Sequence, residues 1–176
     1  MGVDHEREML SMFAQNAEKR EISCQVFEGF WPEIADQVPM ADVVLCHHVL
    51  YNISEIGPFL LGLDSHARSR VVVEMSTCHP LSHHSGAWKH CWNIDRPTTP
   101  TSEDVLEFLK EIGIKAEIHY WSGKLRDQID IDQENDFIRV RLCLPPERLS
   151  EVRDYFLDNP SPMHRELATI WWDISA

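Results

Sequence analysis

The sequence predicts an α/β fold: a mostly parallel sheet with helices on both faces and an antiparallel pair at one edge. Three observations carry that expectation. The apolar runs at residues 43–46 and 71–73 are continuous rather than alternating, as in strands covered on both faces. Helical spacing follows the first run in Ile56, Phe59, Leu60, Leu63 and Ala67 and the second in Val105, Phe108, Leu109 and Ile112. Strand and helix signals then alternate through the first two-thirds of the chain.

Taken in order, Gly2-Val-Asp4 reads as a strand tip ending in an acid. Residues 6–20 read as a helix, with Met9, Met12, Phe13, Asn16 and Ala17 near helical spacing, an acidic start and a basic finish. Residues 22–27 form a short strand that runs into Glu28-Gly-Phe-Trp-Pro32. Ser54 is placed to cap the helix that contains Pro58 in its first turn. Arg70-Val-Val-Val-Glu74 is a second buried strand, and residues 75–92 beyond it are the least regular part of the chain.

After a rigid Arg96-Pro-Thr-Thr-Pro100 linker, Thr101-Ser-Glu-Asp104 opens the next helix as a capping box, and Gly113 ends it. Residues 115–121 and 137–144 read as strands separated by an acidic loop at 127–136. Pro145-Pro146 start a helix carrying Leu149, Val152 and Phe156, Asn159-Pro160 stop it, and residues 167–172 form a last strand.

The 176 residues suit one domain. Sixteen basic against 29 acidic residues give a formal net charge of −13, which disfavours nucleic acid and anionic membrane and leaves a small molecule as the expected partner. Five dispersed cysteines, three of them in apolar runs, point to a reducing, cytoplasmic setting rather than a disulfide framework. No apolar run approaches the ~18 residues of a membrane span.

Chemistry-bearing residues collect where strands end, which is where open α/β sheets bind ligands. Asp4 is placed either to hydrogen-bond the hydroxyls of a ribose or to cap the helix behind it. Gly29, Phe30 and Trp31 offer a turn and two aromatics, for a purine ring or for the core. His47 and His48 follow the 43–46 run, and either is suited to bind a ligand, act as general base or bond a neighbouring loop. Glu74 ends the second buried strand and needs a partner there. Cys78-His79, His83-His84 and His90-Cys91 include one His spacing seen at zinc sites, but no Cys pair completes it. That region reads as a His-rich loop with no metal.

Gly2-Val-Asp4, Glu28-Gly-Phe-Trp-Pro32, Ala41-Asp-Val-Val-Leu-Cys-His-His-Val-Leu-Tyr-Asn52, Arg70-Val-Val-Val-Glu74 and His79-Pro80, in this order and spacing, resemble class I S-adenosylmethionine-dependent methyltransferases. Arg96-Pro97 and Arg141-Leu-Cys-Leu-Pro-Pro146 add to the likeness. The resemblance implies a Rossmann-like sheet in the order 3-2-1-4-5-7-6 with its last strand antiparallel. It implies S-adenosylmethionine as cofactor, bound by Asp4, Gly29, Phe30, Trp31, Cys46 and His47. His48 or Glu74 would then be the base, and Tyr51, Asn52, His79, His84 and Trp88 would shape the acceptor pocket. The family's first strand and glycine-rich loop would precede Gly2, so the chain reads as N-terminally truncated. The rival expectation is a non-catalytic module that forms a homodimer through an exposed sheet edge.

Overall fold

The computed structural model describes residues 1–124, 131–160, 162 and 164–174. They form two compact units, Met1–Val73 with Trp171–Ala176, and Glu74–Ile170. The strands make a two-stranded sheet of β1 (Gly2–Asp4) and β2 (Val26–Glu28), and a four-stranded sheet in the order β3 (Ala41–His47), β4 (Ala67–Ser76), β6 (His164–Asp173), β5 (Glu117–Lys124). Matched to the implied family order, β2-β1 stand as strands 3-2 and β3-β4-β6-β5 as 4-5-7-6.

In the first unit β1 and β2 are parallel, with Asp4 opposite Glu28. Helix α1 (Arg7–Glu18) follows β1 and buries Leu10 and Ala17. Of the residues near helical spacing, Ala17 is buried, whereas Met9, Met12 and Phe13 are 42–52% exposed. Helical spacing fixes which residues share a face but not which face meets a neighbour. Helix α2 (Ile56–His66) buries Phe59, Leu60 and Leu63 as the spacing predicts, but its N-cap is Glu55 rather than Ser54. Gly62 lets it approach closely: a Cβ there would lie 2.9 Å from Pro32 and 3.0 Å from the Trp31 indole nitrogen.

β3 departs from the strand buried on both faces. Cys46 is 5% exposed, whereas Val43 is 46% and Leu45 62% exposed. It is the edge strand of its sheet, with one face open, and an apolar run cannot reveal which strand stands at an edge. At the other end of the unit, Arg70 pairs with Asp173 through two hydrogen bonds of 2.7 and 3.0 Å, and Trp172 donates its indole N–H to Asp64 at 2.8 Å.

In the second unit, Thr77 donates its backbone N–H to Glu166. Together with Ile174 to Ser69 in the first unit, this shows residue numbers falling on β6 as they rise on β4. β6 is therefore the antiparallel strand, hydrogen-bonded between β4 and β5. Helix α3 (Ser85–Trp92) occupies the stretch read as irregular. Helix α4 (Ser102–Glu111) begins with the expected capping box and buries Val105 and Leu109.

The expected strand at 137–144 is instead the end of helix α5 (Ile131–Arg141) and its exit. Ile138, Leu142 and Leu144 cluster with Ala87 and with Val152 of α6 (Leu149–Asp158). Arg139 bonds Asp136 at 2.7 Å and the Leu144 carbonyl at 2.6 Å, which closes the helix end. Ile138 and Leu142, four apart, are the helical signal, and the β-branched Ile138 and Val140 obscure it. Of the expected acidic loop, residues 127–130 lie outside the described residues and the rest is helical. No described helix is long and apolar enough to cross a membrane.

Candidate functional site

β1 and β2 end side by side. Gly29 donates its N–H to the Asp4 carbonyl at 3.0 Å, so the turn after β2 is joined to the tip of β1. The Asp4 carboxylate, 36% exposed, accepts the Glu6 N–H at 2.8 Å and lies 3.6 Å from the His5 ring. This is a side-chain turn leading into α1 rather than the helix N-cap, which is Glu6. Gly29 has φ 157°, and a Cβ there would meet Ile34 at 2.4 Å, so this position takes no side chain.

Beyond Gly29 the two aromatics part company. Phe30 is 58% exposed, and the His5 ring stacks on it at 4.5 Å with an 18° interplanar angle. Trp31 instead donates its indole N–H to the Phe59 carbonyl at 3.3 Å and meets the His66 ring edge-on at 4.7 Å. The structure therefore gives Trp31 a packing role against α2 and leaves Phe30 as the open aromatic surface. His5 is a site neighbour that sequence reasoning missed; only its position next to Asp4 marked it.

At the end of β3 the Cys46 thiol is pushed up to about 12 by burial, with a backbone hydrogen bond from Val49 pulling the other way. It stays a neutral thiol near pH 7 and is no nucleophile. His47 is the last strand residue, and His48, exposed, takes a left-handed φ of 55°. That conformation is uncommon for a residue with a side chain and marks strain at a strand end. Tyr51, partly buried, and Asn52, exposed, follow in a single 3₁₀ turn (Leu50–Asn52).

In the second unit Glu74 is partly buried near the end of β4. His79 accepts the Leu81 N–H on Nδ1 at 3.1 Å, and its pKa is lowered by burial and by Arg96. His84 is 4% exposed, with its ring 3.8 Å from that of His83 and edge-on to Phe156. Burial, then His83, Arg141 and Arg96, lower its pKa to about 4. Trp88 packs on the Ala87–Val152 cluster and carries the Arg96 guanidinium 5.0 Å from its ring. Among the described residues, no group of three or more His, Cys, Asp or Glu is placed to hold a metal.

No family model matches the chain, and no curated protein matches it. Solved structures do. A putative methyltransferase (BH2331) from Bacillus halodurans aligns over 99% of this chain and 82% of its own, with TM-score 0.60 and 13% identity. Precorrin 8w decarboxylase from Methanobacterium thermoautotrophicum aligns over 97% of this chain and 67% of its own, with TM-score 0.51 and 13% identity. Magnesium protoporphyrin IX methyltransferase (ChlM) from Synechocystis PCC 6803, solved with bound SAH, aligns over 96% of this chain and 62% of its own, with TM-score 0.52 and 13% identity. At this identity the likeness is one of fold, and the chain is built on the Rossmann-like α/β fold of these structures.

Proposed function

We propose that the protein binds S-adenosylmethionine in its first unit and transfers the methyl group to a small-molecule acceptor. The observation that carries this reading is the joined pair of strand ends: a partly exposed Asp4 carboxylate beside the Gly29 turn, with the open Phe30 ring next to it. These groups suit an adenosine. A carboxylate accepts two adjacent hydroxyls, and an aromatic face stacks on a purine. The shared fold and the SAH-bound neighbour support the same cofactor.

Bound S-adenosylmethionine supplies a methyl group activated on a positively charged sulfur. The chain's own part is mostly positioning. Asp4 would hold the ribose, Phe30 the adenine, and Cys46 and His47 would line the methionine end. When the cofactor is bound, a base on this chain would take the proton that the acceptor gives up. We assign the base to His48 and the acceptor-side contacts within the first unit to Tyr51 and Asn52; Glu74, His79, His84 and Trp88 belong to the second unit. The net charge of −13 favours a small acceptor over nucleic acid. The five free cysteines support a reducing, cytoplasmic setting.

A thermal-shift titration tests the cofactor reading. S-adenosylhomocysteine at a hundredfold excess over its Kd stabilises the protein by ~2.7 kcal/mol, while methionine alone does not. Equal shifts with both, or none, would count against it.

A second reading has its own observation. Val43 and Leu45 lie exposed on an edge strand, the arrangement that invites pairing with another chain. It proposes a homodimer through β3, and light scattering that stays monomeric at all concentrations would remove it.

A further inference from the structure

Helices α5 and α6 pack against each other, and their inner faces make a core of the second unit from Ile138, Leu142 and Val152, together with Ala87 of α3. Their outer faces should then be polar, and they are not. Phe137 is 54% exposed, Val140 58% and Leu157 80%, the last being the most exposed large apolar side chain among the described residues. Phe137 and Val140 are three apart on α5, and Leu149, Arg153 and Leu157 follow at spacings of four on α6, so each set shares a face. Between the helices runs an open groove of about 580 Å³, lined by Gln133, Asp136, Phe137, Val140, Leu149 and Arg153.

An apolar face turned to solvent calls for an occupant, and the charges along α5 say which. Its first half carries Asp132, Glu134 and Asp136, and its second half Arg139 and Arg141. Arg141 lies over the Phe137 ring at 4.5 Å, so a cation flanks the exposed aromatic. A helix with that polarity complements itself when turned end for end. In an antiparallel pair about a twofold axis, the acidic half of one α5 lies beside the basic half of the other, and the two helix dipoles oppose. A parallel pair would set acid beside acid. The same axis serves the apolar residues: midway between 136 and 141 is also midway between 137 and 140, so each Phe137 stands level with Val140 of the partner copy.

We infer that the α5–α6 face is the contact between two copies of this chain, closed by a twofold axis through the middle of α5. Each copy sets its Phe137 and Val140 ridge against the other's, with Leu149 and Leu157 at the flank. A contact of this self-complementary kind closes after two copies, which fits a patch confined to two helices. It is independent of the cofactor and uses no residue of the first unit. It differs from pairing through β3, whose exposed apolar residues are Val43 and Leu45.

Sedimentation equilibrium of the full chain over a range of concentrations reads the contact. The wild type passes from monomer to dimer and forms nothing larger. Val140→Glu and Leu157→Lys, both at exposed positions, raise the dimer dissociation constant about tenfold or more, with the helical circular dichroism unchanged. Arg141→Glu puts acid beside acid and weakens the dimer to a similar degree, whereas Arg141→Lys keeps it. Leu45→Lys, on β3, leaves it unchanged. A chain that stays monomeric at ~1 mM overturns the inference and leaves the groove to another occupant. So does a dimer that Leu45→Lys breaks and Val140→Glu does not, or one that Arg141→Glu leaves intact.

Discussion

Gly29 donates its backbone N–H to the Asp4 carbonyl oxygen at 3.0 Å, and this bond joins the ends of the two parallel strands that frame the proposed cofactor site. The turn has room for no side chain, since a Cβ on Gly29 would lie 2.4 Å from Ile34. Gly29→Ala therefore costs about 1–3 kcal/mol in urea unfolding, through overpacking and an unfavourable φ. An unchanged midpoint would show that the turn relaxes freely.

The two faces of the strand-and-helix layer in the first unit respond differently. Leu60 is fully buried and Leu45 62% exposed. Leu60→Ala costs about 2–5 kcal/mol, whereas Leu45→Lys stays within about 0.5 kcal/mol. A large loss at Leu45 in the isolated chain would place a neighbour on β3.

Thr101 accepts the Asp104 N–H at 3.2 Å, and Asp104 accepts the Thr101 N–H at 2.7 Å. Thr101→Ala costs about 1 kcal/mol in chemical denaturation. The bond from the Thr101 backbone holds the Asp104 carboxyl below its ordinary value. Its contribution is present above the unfolded value and is lost as pH falls through the folded one. Asp104→Asn should flatten that acid limb.

His84 gives a second pH dependence. Its pKa is lowered to about 4 in the folded protein, against 6.5 for the free side chain. The unfolded chain binds the extra proton first, so the stabilising effect is full above pH 6.5 and is lost as pH falls toward 4. The change is on the order of 2–3 kcal/mol. Urea midpoints between pH 7 and 4 should fall, and His84→Gln should fall less; parallel curves would contradict this burial.

Much of this was legible in the sequence because local chemistry dictates it. The capping box at Thr101 and the α2 face of Phe59, Leu60 and Leu63 need no knowledge of their neighbours. Asp4, Gly29 and His48 stand at strand ends as their positions in the sequence predict. What was not legible depends on long-range placement. The apolar run at 43–46 looks the same in a central strand and in an edge strand, so the exposure of Val43 and Leu45 could not be read from it. The helix ending at Arg141 was hidden because Ile138 and Val140 suit a strand until Val152 and Ala87 pack against Ile138.

The cofactor reading rests most directly on Asp4, whose carboxylate has a local role and a proposed ligand role that one pair of variants separates. Asp4→Asn keeps an oxygen able to accept the Glu6 N–H but loses the charge, whereas Asp4→Ala loses both. Calorimetry of the wild-type chain with S-adenosylhomocysteine should show micromolar binding. Asp4→Asn should weaken it about tenfold or more with the fold intact, and Asp4→Ala should abolish it. No binding by the wild type, or equal binding by all three, would contradict a cofactor site at the ends of β1 and β2.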